Sequence, residues 1–153
     1  MKKKFLIVIA DYYKDISKGL LNSAKDILPK SSLIKIINVP GVFEIPVTIS
    51  KNIKKYDAFL ALGCVIKGQT PHFDFISQAS TDAIMKLAIE NKKPIGNGII
   101  TCLNKKQSID RSMTKGKKLS KNKGLESANA VLELLSESFS ISWARKFRKI
   151  LEL

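Results

Sequence analysis

The residues best suited to chemistry lie in one stretch, GCVIKGQTPHFD at positions 63–74, which contains the only histidine among 153 residues. Gly68 permits close backbone approach, Thr70 is placed to cap a following helix, and Pro71 suits that helix's first turn. The amide groups at such a helix start favour an anion such as phosphate. His72 would then stand beside the anion as a proton carrier, although a surface histidine at a plain strand-to-helix junction fits these residues equally well.

Three other positions could take part in this chemistry, and each also has a simpler interpretation. Glu44 follows Pro40-Gly41, and its carboxylate could hold a polar ligand or only complement a helix dipole. Arg111, one of three arginines, could clamp a phosphate or form a surface salt bridge. Cys64 and Cys102 show neither metal-ligand spacing nor a disulfide framework, which favours free thiols in a reducing cytoplasm. Spacing alone therefore predicts a phosphate-compatible pocket with one candidate proton carrier.

Strand patterns alternate with helical patterns along the chain, which predicts a parallel sheet covered by helices on both faces. We predict strands at 4–10, 33–39, 58–66 and 94–101, and helices at 16–28, 43–53, 73–89, 105–113 and 122–139. Ligands of such sheets gather at the carboxyl ends of the strands. The loops at these ends begin near Asp11, Pro40, Lys67 and Thr101. A single domain over residues 1–153 accounts for all of these elements.

The formal net charge of +14 would attract nucleic acid, anionic lipid or phosphorylated small molecules. Lysine supplies 24 of the 27 basic residues and is spread over the whole chain, which favours a solvated surface over a nucleic-acid partner. No apolar run reaches the roughly 20 residues that span a bilayer, so we expect no membrane partner. The basic tail at 140–153 is either a terminal helix docked on its own fold or a surface-binding helix.

The segments PGVFEIP at 40–46, GCVIKGQTPHFD at 63–74 and NKG at 122–124 together resemble the lumazine synthase family. The first two motifs, at their observed separation, are the most specific part of a resemblance that covers about residues 5–139. It implies a three-layer flavodoxin-like sandwich with a four-stranded parallel sheet. It also implies a transferase that condenses 5-amino-6-(D-ribitylamino)uracil with 3,4-dihydroxy-2-butanone 4-phosphate to 6,7-dimethyl-8-ribityllumazine, the penultimate step of riboflavin biosynthesis, with no metal or organic cofactor.

The resemblance also implies roles for individual residues by position. His72 matches the proposed proton donor, and the residues that match those binding the butanone phosphate are Gln69, Thr70 and Arg111. The residues that match those binding the pyrimidine and its ribityl chain are Tyr12, Val42, Phe43, Glu44, Cys64, Val65, Ile66, Asn97 and Lys123. Within this set, Tyr12 would stack on the pyrimidine, and Asn97 stands where many members have a phenylalanine supplied by the neighbouring subunit. Asp11 departs from the arginine that usually precedes the stacking aromatic.

The resemblance further implies a homo-oligomer with active sites between adjacent subunits, and riboflavin synthase as a candidate partner. The loop from Arg111 to Lys123 is longer than the family's common short form, and a short segment precedes the first strand. Both features favour a pentamer over the family's closed capsid. A flavodoxin-like protein that binds flavin or lumazine without catalysis, or a basic nucleic-acid-binding module, are the alternatives from other functional classes.

Overall fold

The computed structural model describes residues 2–136, which form a four-stranded, all-parallel sheet with helices on both faces. The strands are β1 (Lys4–Ala10), β2 (Leu33–Val39), β3 (Ala58–Ile66) and β4 (Ile95–Cys102). Their spatial order is β2-β1-β3-β4, so β1 and β3 are central. In this order the chain winds in opposite directions on either side of the β1–β3 pair. Ligands of flavodoxin-like sheets bind at that switch point.

Five α-helices are present in the described part of the chain. They are α1 (Lys14–Ile27), α2 (Ile45–Asn52), α3 (His72–Asn91), α4 (Lys105–Asp110) and α5 (Lys123–Leu135). The helices α1 and α5 cover one face of the sheet, and α2 and α3 cover the other. This arrangement confirms the predicted three-layer α/β fold.

Strand alternation divides the apolar side chains between two cores. Along β1, Phe5, Ile7 and Ile9 face α1 and α5, whereas Leu6 and Val8 face α2 and α3. Strands buried on both faces are typical of parallel sheets and explain the continuous apolar runs of the sequence. Each fully buried Leu or Ile contributes about 1.5–3 kcal/mol, so the two cores fix the strands that carry the site loops.

The segment between α4 and α5 is anchored to α1 by close backbone packing. A Cβ on Gly124 would lie 2.0 Å from the Leu20 carbonyl oxygen, so only glycine permits this contact. The buried Asn122 side chain accepts a hydrogen bond from the Leu125 amide and donates to the Gly19 carbonyl. Together these contacts fix where the chain enters α5.

Several predicted boundaries shift for local reasons. A 3-10 turn, Val42–Glu44, precedes α2 where a continuous helix was predicted. The first helix after β4 ends at Asp110 rather than at residue 113, because Arg111 and Ser112 turn the chain toward α1. The last described helix ends at Leu135, with Ser136 in extended backbone. The tail at 140–153 lies outside the described residues.

No helix within residues 2–136 combines the length and apolar character needed to cross a membrane. The basic segment at 114–121 forms a largely exposed connection that contains a 3-10 turn at Leu119–Lys121.

Candidate active site

The carboxyl ends of the parallel strands lie along one edge of the sheet, and the loops after β1, β2 and β3 carry most of the predicted site residues there. These are Tyr12 after β1, Val42, Phe43 and Glu44 after β2, and Gln69, Thr70 and His72 after β3. A Cβ on Gly63 would lie 2.9 Å from the Val42 side chain and 3.2 Å from the Ala10 side chain. The loop after β2 therefore packs directly on the ends of β1 and β3, across the switch point.

The loop after β3 presents a run of backbone donors. Lys67 donates its amide to the Cys102 carbonyl at 2.9 Å, which ties the start of this loop to the end of β4. Beyond it, five amides donate to no acceptor within residues 2–136, namely those of Gly68, Gln69, Thr70, His72 and Phe73. Unpaired amides at a helix start can bind an anion. The loop therefore supplies donors of the kind that the predicted phosphate site requires.

The predicted capping role of Thr70 is wrong. Helix α3 begins at His72, Pro71 occupies the N-cap position, and no side chain caps the helix. The Pro71 carbonyl instead accepts the amides of Asp74 and Phe75, at 3.1 and 3.3 Å. Thr70 lies one residue before the N-cap position, and its exposed hydroxyl forms no hydrogen bond to the helix.

His72 is the first residue of α3, and its imidazole is exposed. It forms no hydrogen bond with any residue that the structure describes. A neutral imidazole carries one donor and one acceptor, so both nitrogens of His72 are available to a bound molecule. His72 thus belongs to the same strand-to-helix connection as the unpaired amides, and its role as a proton carrier stays a prediction.

Two aromatic side chains at this edge of the sheet are largely exposed to solvent. Tyr12 is 76% exposed and Phe43 is 62% exposed. Neighbouring Val42 is buried in the α2/α3 core and holds the loop down, while Glu44 is half-buried. Exposed large aromatic side chains are typical of surfaces that meet a ligand or another protein.

The end of β3 supplies a wall rather than a reactive group. Cys64 and Ile66 face the α1/α5 core, and Val65 faces the α2/α3 core. Burial, followed by the nearby Cys102 thiol, raises the pKa of the Cys64 thiol to about 12. The nucleophilic form of cysteine is the thiolate, so Cys64 is not a nucleophile at neutral pH.

Arg111 lies just after α4 and is joined to Lys123. The Lys123 amide donates to the Arg111 carbonyl at 2.9 Å. One guanidinium nitrogen of Arg111 donates to the Gln107 carbonyl at 3.3 Å, and the remaining donors can serve a ligand. Burial raises the pKa of the Cys102 thiol, and the positive charge of Arg111 is among the opposing influences. Arg111 therefore lies near the β4 end to which Lys67 is bonded.

Two predicted residues differ from the rest in their surroundings. The Lys123 ammonium forms an ion pair with Glu126 at 2.9 Å. Asn97 lies within β4 opposite Ala61, well before the strand's carboxyl end, and its side-chain oxygen accepts the Ile99 amide at 3.2 Å. Its side chain is exposed on an edge strand. The structure does not bring Asn97 to the loop cluster of its own chain.

Sequence reasoning overlooked two residues, Tyr13 beside Tyr12 and Lys105 beside Tyr13. The ring centroids of Tyr12 and Tyr13 are 4.9 Å apart with an interplanar angle of 81°, an edge-to-face contact. The Lys105 ammonium lies 4.7 Å from the centroid of the Tyr13 ring. The adjacent tyrosines were a visible signal, but the approach of Lys105 arises only from the fold.

The 6,7-dimethyl-8-ribityllumazine synthase family model matches residues 2–138 of this chain. The chain belongs to this family. Among its relatives, the 6,7-dimethyl-8-ribityllumazine synthase of Buchnera aphidicola is 43% identical over 143 residues, which cover 88% of this chain and 87% of the relative. The synthase of Bartonella bacilliformis is 42% identical over 136 residues, 86% of this chain and 87% of the relative.

A third bacterial relative gives the same result. The synthase of Corynebacterium kroppenstedtii is 39% identical over 127 residues, 82% of this chain and 79% of that protein. The family resemblance inferred from the PGVFEIP and GCVIKGQTPHFD motifs is therefore confirmed. In this lumazine synthase family member, no group of three or more His, Cys, Asp or Glu side chains within residues 2–136 is arranged to hold a metal ion.

Proposed function

We propose that this chain joins 5-amino-6-(D-ribitylamino)uracil to 3,4-dihydroxy-2-butanone 4-phosphate at the carboxyl edge of its sheet and releases 6,7-dimethyl-8-ribityllumazine. Membership of the family and the names of the relatives support lumazine synthase activity in riboflavin biosynthesis. The observation that carries the location is the run of unpaired amides after β3, with the exposed His72 beside it. The reaction requires both a binding site for a phosphate group and a residue that carries protons.

The butanone phosphate binds in the loop after β3 in this proposal. The amides and side chains of Gln69 and Thr70 would donate to the phosphate oxygens, and the Arg111 guanidinium would approach from the β4 side. Arginine suits this task because its fork of donors matches two phosphate oxygens at once. The bond from Lys67 to Cys102 supports the arrangement, since it ties the phosphate loop to the strand beside Arg111.

The ribitylaminouracil binds on the side of the switch point formed by the first two loops. Tyr12 would stack on the pyrimidine ring, while Phe43 and Glu44 hold the ribityl chain and the pyrimidine edge. Cys64, Val65 and Ile66 form the wall below, and Val42 supports it from the core. Lys123 completes the set near the pyrimidine, with its ammonium shared with Glu126.

The chemistry then follows from reactions of amines with carbonyls. The 5-amino group attacks the ketone, water leaves to give an imine, and inorganic phosphate is eliminated. This loss of a proton and of phosphate leaves an enol, whose tautomerisation generates a new carbonyl. The ribitylamino nitrogen closes the ring on that carbonyl with loss of a second water. His72 would move protons in these steps, and holding two reactants in contact supplies a further large share of the acceleration.

The assembly that we propose is a homopentamer with active sites between adjacent subunits. The exposed Asn97, away from its own loop cluster, is available to a neighbouring copy. Helix α3 exposes Phe75, Met85 and Ile89, and unpartnered apolar side chains of this size are typical of subunit contacts. Light scattering should give about five times the 17.0 kDa chain mass; a megadalton shell would contradict the pentamer.

The setting that we propose is the cytoplasm. The two free thiols fit a reducing compartment. Riboflavin synthase is the candidate protein partner because the lumazine is formed in the penultimate step of riboflavin biosynthesis. Co-sedimentation of the two proteins at matched concentrations tests the partnership.

The experiment that tests the function mixes purified chain with both substrates and follows lumazine absorbance and fluorescence. Product should form only when both substrates and protein are present. Failure to form product, together with tight retention of flavin, would favour a non-catalytic binder. Salt-sensitive binding of nucleic acid at physiological ionic strength, without product, would favour a nucleic-acid-binding module.

A further inference from the structure

Tyr12 lies in the short connection between β1 and α1, and its ring is 76% exposed. An exposed side chain samples several rotamers, and fixing it costs conformational entropy when a ligand binds. A ring that stacks on a substrate works better when that cost has already been met by the fold. Tyr13 provides the aromatic contact of Tyr12 within the described residues.

Tyr13 is itself fixed by the start of α1 and by the α1/α5 core. It occupies the N-cap position of α1, where its carbonyl accepts the Ser17 amide at 2.9 Å. Its ring packs against the α1/α5 core, which includes Cys64 and Cys102. Burial, followed by Cys64, raises the pKa of the Tyr13 phenol, so the ring stays neutral near physiological pH.

Lys105 holds Tyr13 from a different part of the chain. It is the first residue of α4, after the end of β4, and its ammonium lies 4.7 Å from the Tyr13 ring centroid. An ammonium at this distance is attracted by the ring's quadrupole. Tyr13 thus connects the ends of β1, β3 and β4 directly beneath the exposed ring.

We propose that Tyr13 and Lys105 are positioning residues that hold the Tyr12 ring ready to stack on the pyrimidine. Tyr13 meets Tyr12 edge-to-face, and Lys105 restrains the Tyr13 ring. The inference rests on the proposed function, because it assumes that Tyr12 contacts the pyrimidine substrate. Its consequence is selective: losing either residue weakens use of the ribitylaminouracil and leaves use of the butanone phosphate unchanged.

The test is steady-state kinetics on Tyr13→Leu, Tyr13→Phe and Lys105→Met. Because an edge-to-face pair is worth a modest interaction energy, Tyr13→Leu should raise the KM for the ribitylaminouracil about threefold to tenfold, with kcat little changed. Tyr13→Phe keeps the ring and should retain wild-type values. Lys105→Met removes the ammonium but keeps the stem, and should raise the same KM about twofold to fivefold.

Two matched controls separate positioning from general destabilisation. Tyr56→Leu removes another half-buried tyrosine, whose edge-to-face partner is Phe59 at 6.1 Å, at the opposite end of the sheet. Lys106→Met neutralises the next lysine of α4. Both controls should leave the KM for the ribitylaminouracil unchanged. Thermal melts of all variants identify any that fail to fold.

A double-mutant cycle then shows whether Tyr13 acts through Tyr12. In a Tyr12→Ala background, Tyr13→Leu should have no further effect on the ribitylaminouracil KM. Additive effects, unchanged kinetics of Tyr13→Leu, or equal effects on both substrates would overturn the inference while the proposed function stands. A wild-type chain that forms no lumazine would overturn the proposed function, and this inference with it.

Discussion

Asn122 is the residue whose loss should most disturb the approach of Arg111 and Lys123 to the site. Its side chain is fully buried and makes three hydrogen bonds. The oxygen accepts the Leu125 amide at 3.0 Å, and the nitrogen donates to the Gly19 and Met113 carbonyls at 3.3 and 3.0 Å. One side chain therefore links α1, the segment after α4 and the start of α5.

Asn122→Ala should lower the free energy of unfolding by about 2–4 kcal/mol. Loss of the cap costs about 1 kcal/mol. The two hydrogen bonds that the side-chain nitrogen donates, to the Gly19 carbonyl in a buried setting and to the Met113 carbonyl in a partly buried one, contribute about 0.5–1.5 kcal/mol each. Asn104→Ala is the matched control, because Asn104 caps α4 through the Gln107 amide at 3.0 Å but is exposed. That variant should lose only about 0.5–1 kcal/mol.

Urea unfolding at equal protomer concentration measures both variants, since subunit association also contributes to stability. Where Asn122→Ala still folds, the KM for the butanone phosphate should rise, because Arg111 loses its fixed position beside Lys123. Equal losses of stability in the two variants would refute the reasoning that burial, rather than capping, makes Asn122 critical.

Four other predictions follow from the site and the packing. His72→Ala should lower kcat by about a hundredfold or less without abolishing turnover, because proximity still contributes; unchanged steady-state kinetics would remove the proton-shuttle role. Arg111→Ala should raise the KM for the butanone phosphate about tenfold or more, with Arg111→Lys intermediate, and an equal rise for the ribitylaminouracil would contradict this assignment. Gly124→Ala places a Cβ 2.0 Å from the Leu20 carbonyl oxygen, so this variant should have a lower melting temperature. A Cβ on Gly68 would have nothing within 4 Å, so Gly68→Ala should keep the wild-type melting temperature. The Cys64 thiol keeps its proton in the folded state up to a pKa of about 12, against an ordinary 9.0, so stability should fall as pH rises from about 9; a Cys64→Ala variant with the same slope in urea unfolding would contradict it.

The strand boundaries were predictable to within one residue, because short runs of branched apolar residues such as Phe5–Ile9 favour a buried strand over other secondary structure. The helix boundaries were less so. Thr70 looked like a cap by residue type, yet Pro71 occupies the N-cap position of α3, and no side chain caps the helix. Residue type indicates what a side chain can do at a helix start, and the backbone decides which residue stands at the capping position.

The placement of the candidate site residues at the sheet's carboxyl edge was predictable where a motif keeps them close in sequence, as in the loop that carries Gln69, Thr70 and His72. It was not predictable where the contact joins distant elements. The hydrogen bond from Asn122 to Gly19 joins residues 103 positions apart in the sequence. Lys105, which follows β4, approaches the ring of Tyr13, which follows β1. Such contacts depend on strand order, which no local pattern in the sequence specifies.

The most direct test of the carboxyl-edge site is a crystal structure of the chain with 6,7-dimethyl-8-ribityllumazine and inorganic phosphate bound. We expect the ring system against Tyr12, and the phosphate within hydrogen-bond distance of the Gln69 and Thr70 amides and the Arg111 guanidinium. A cleft of about 480 Å³ between α1 and the segment 112–115 is one competing cavity. Both ligands bound in that cleft, with the loop after β3 empty, would contradict the account.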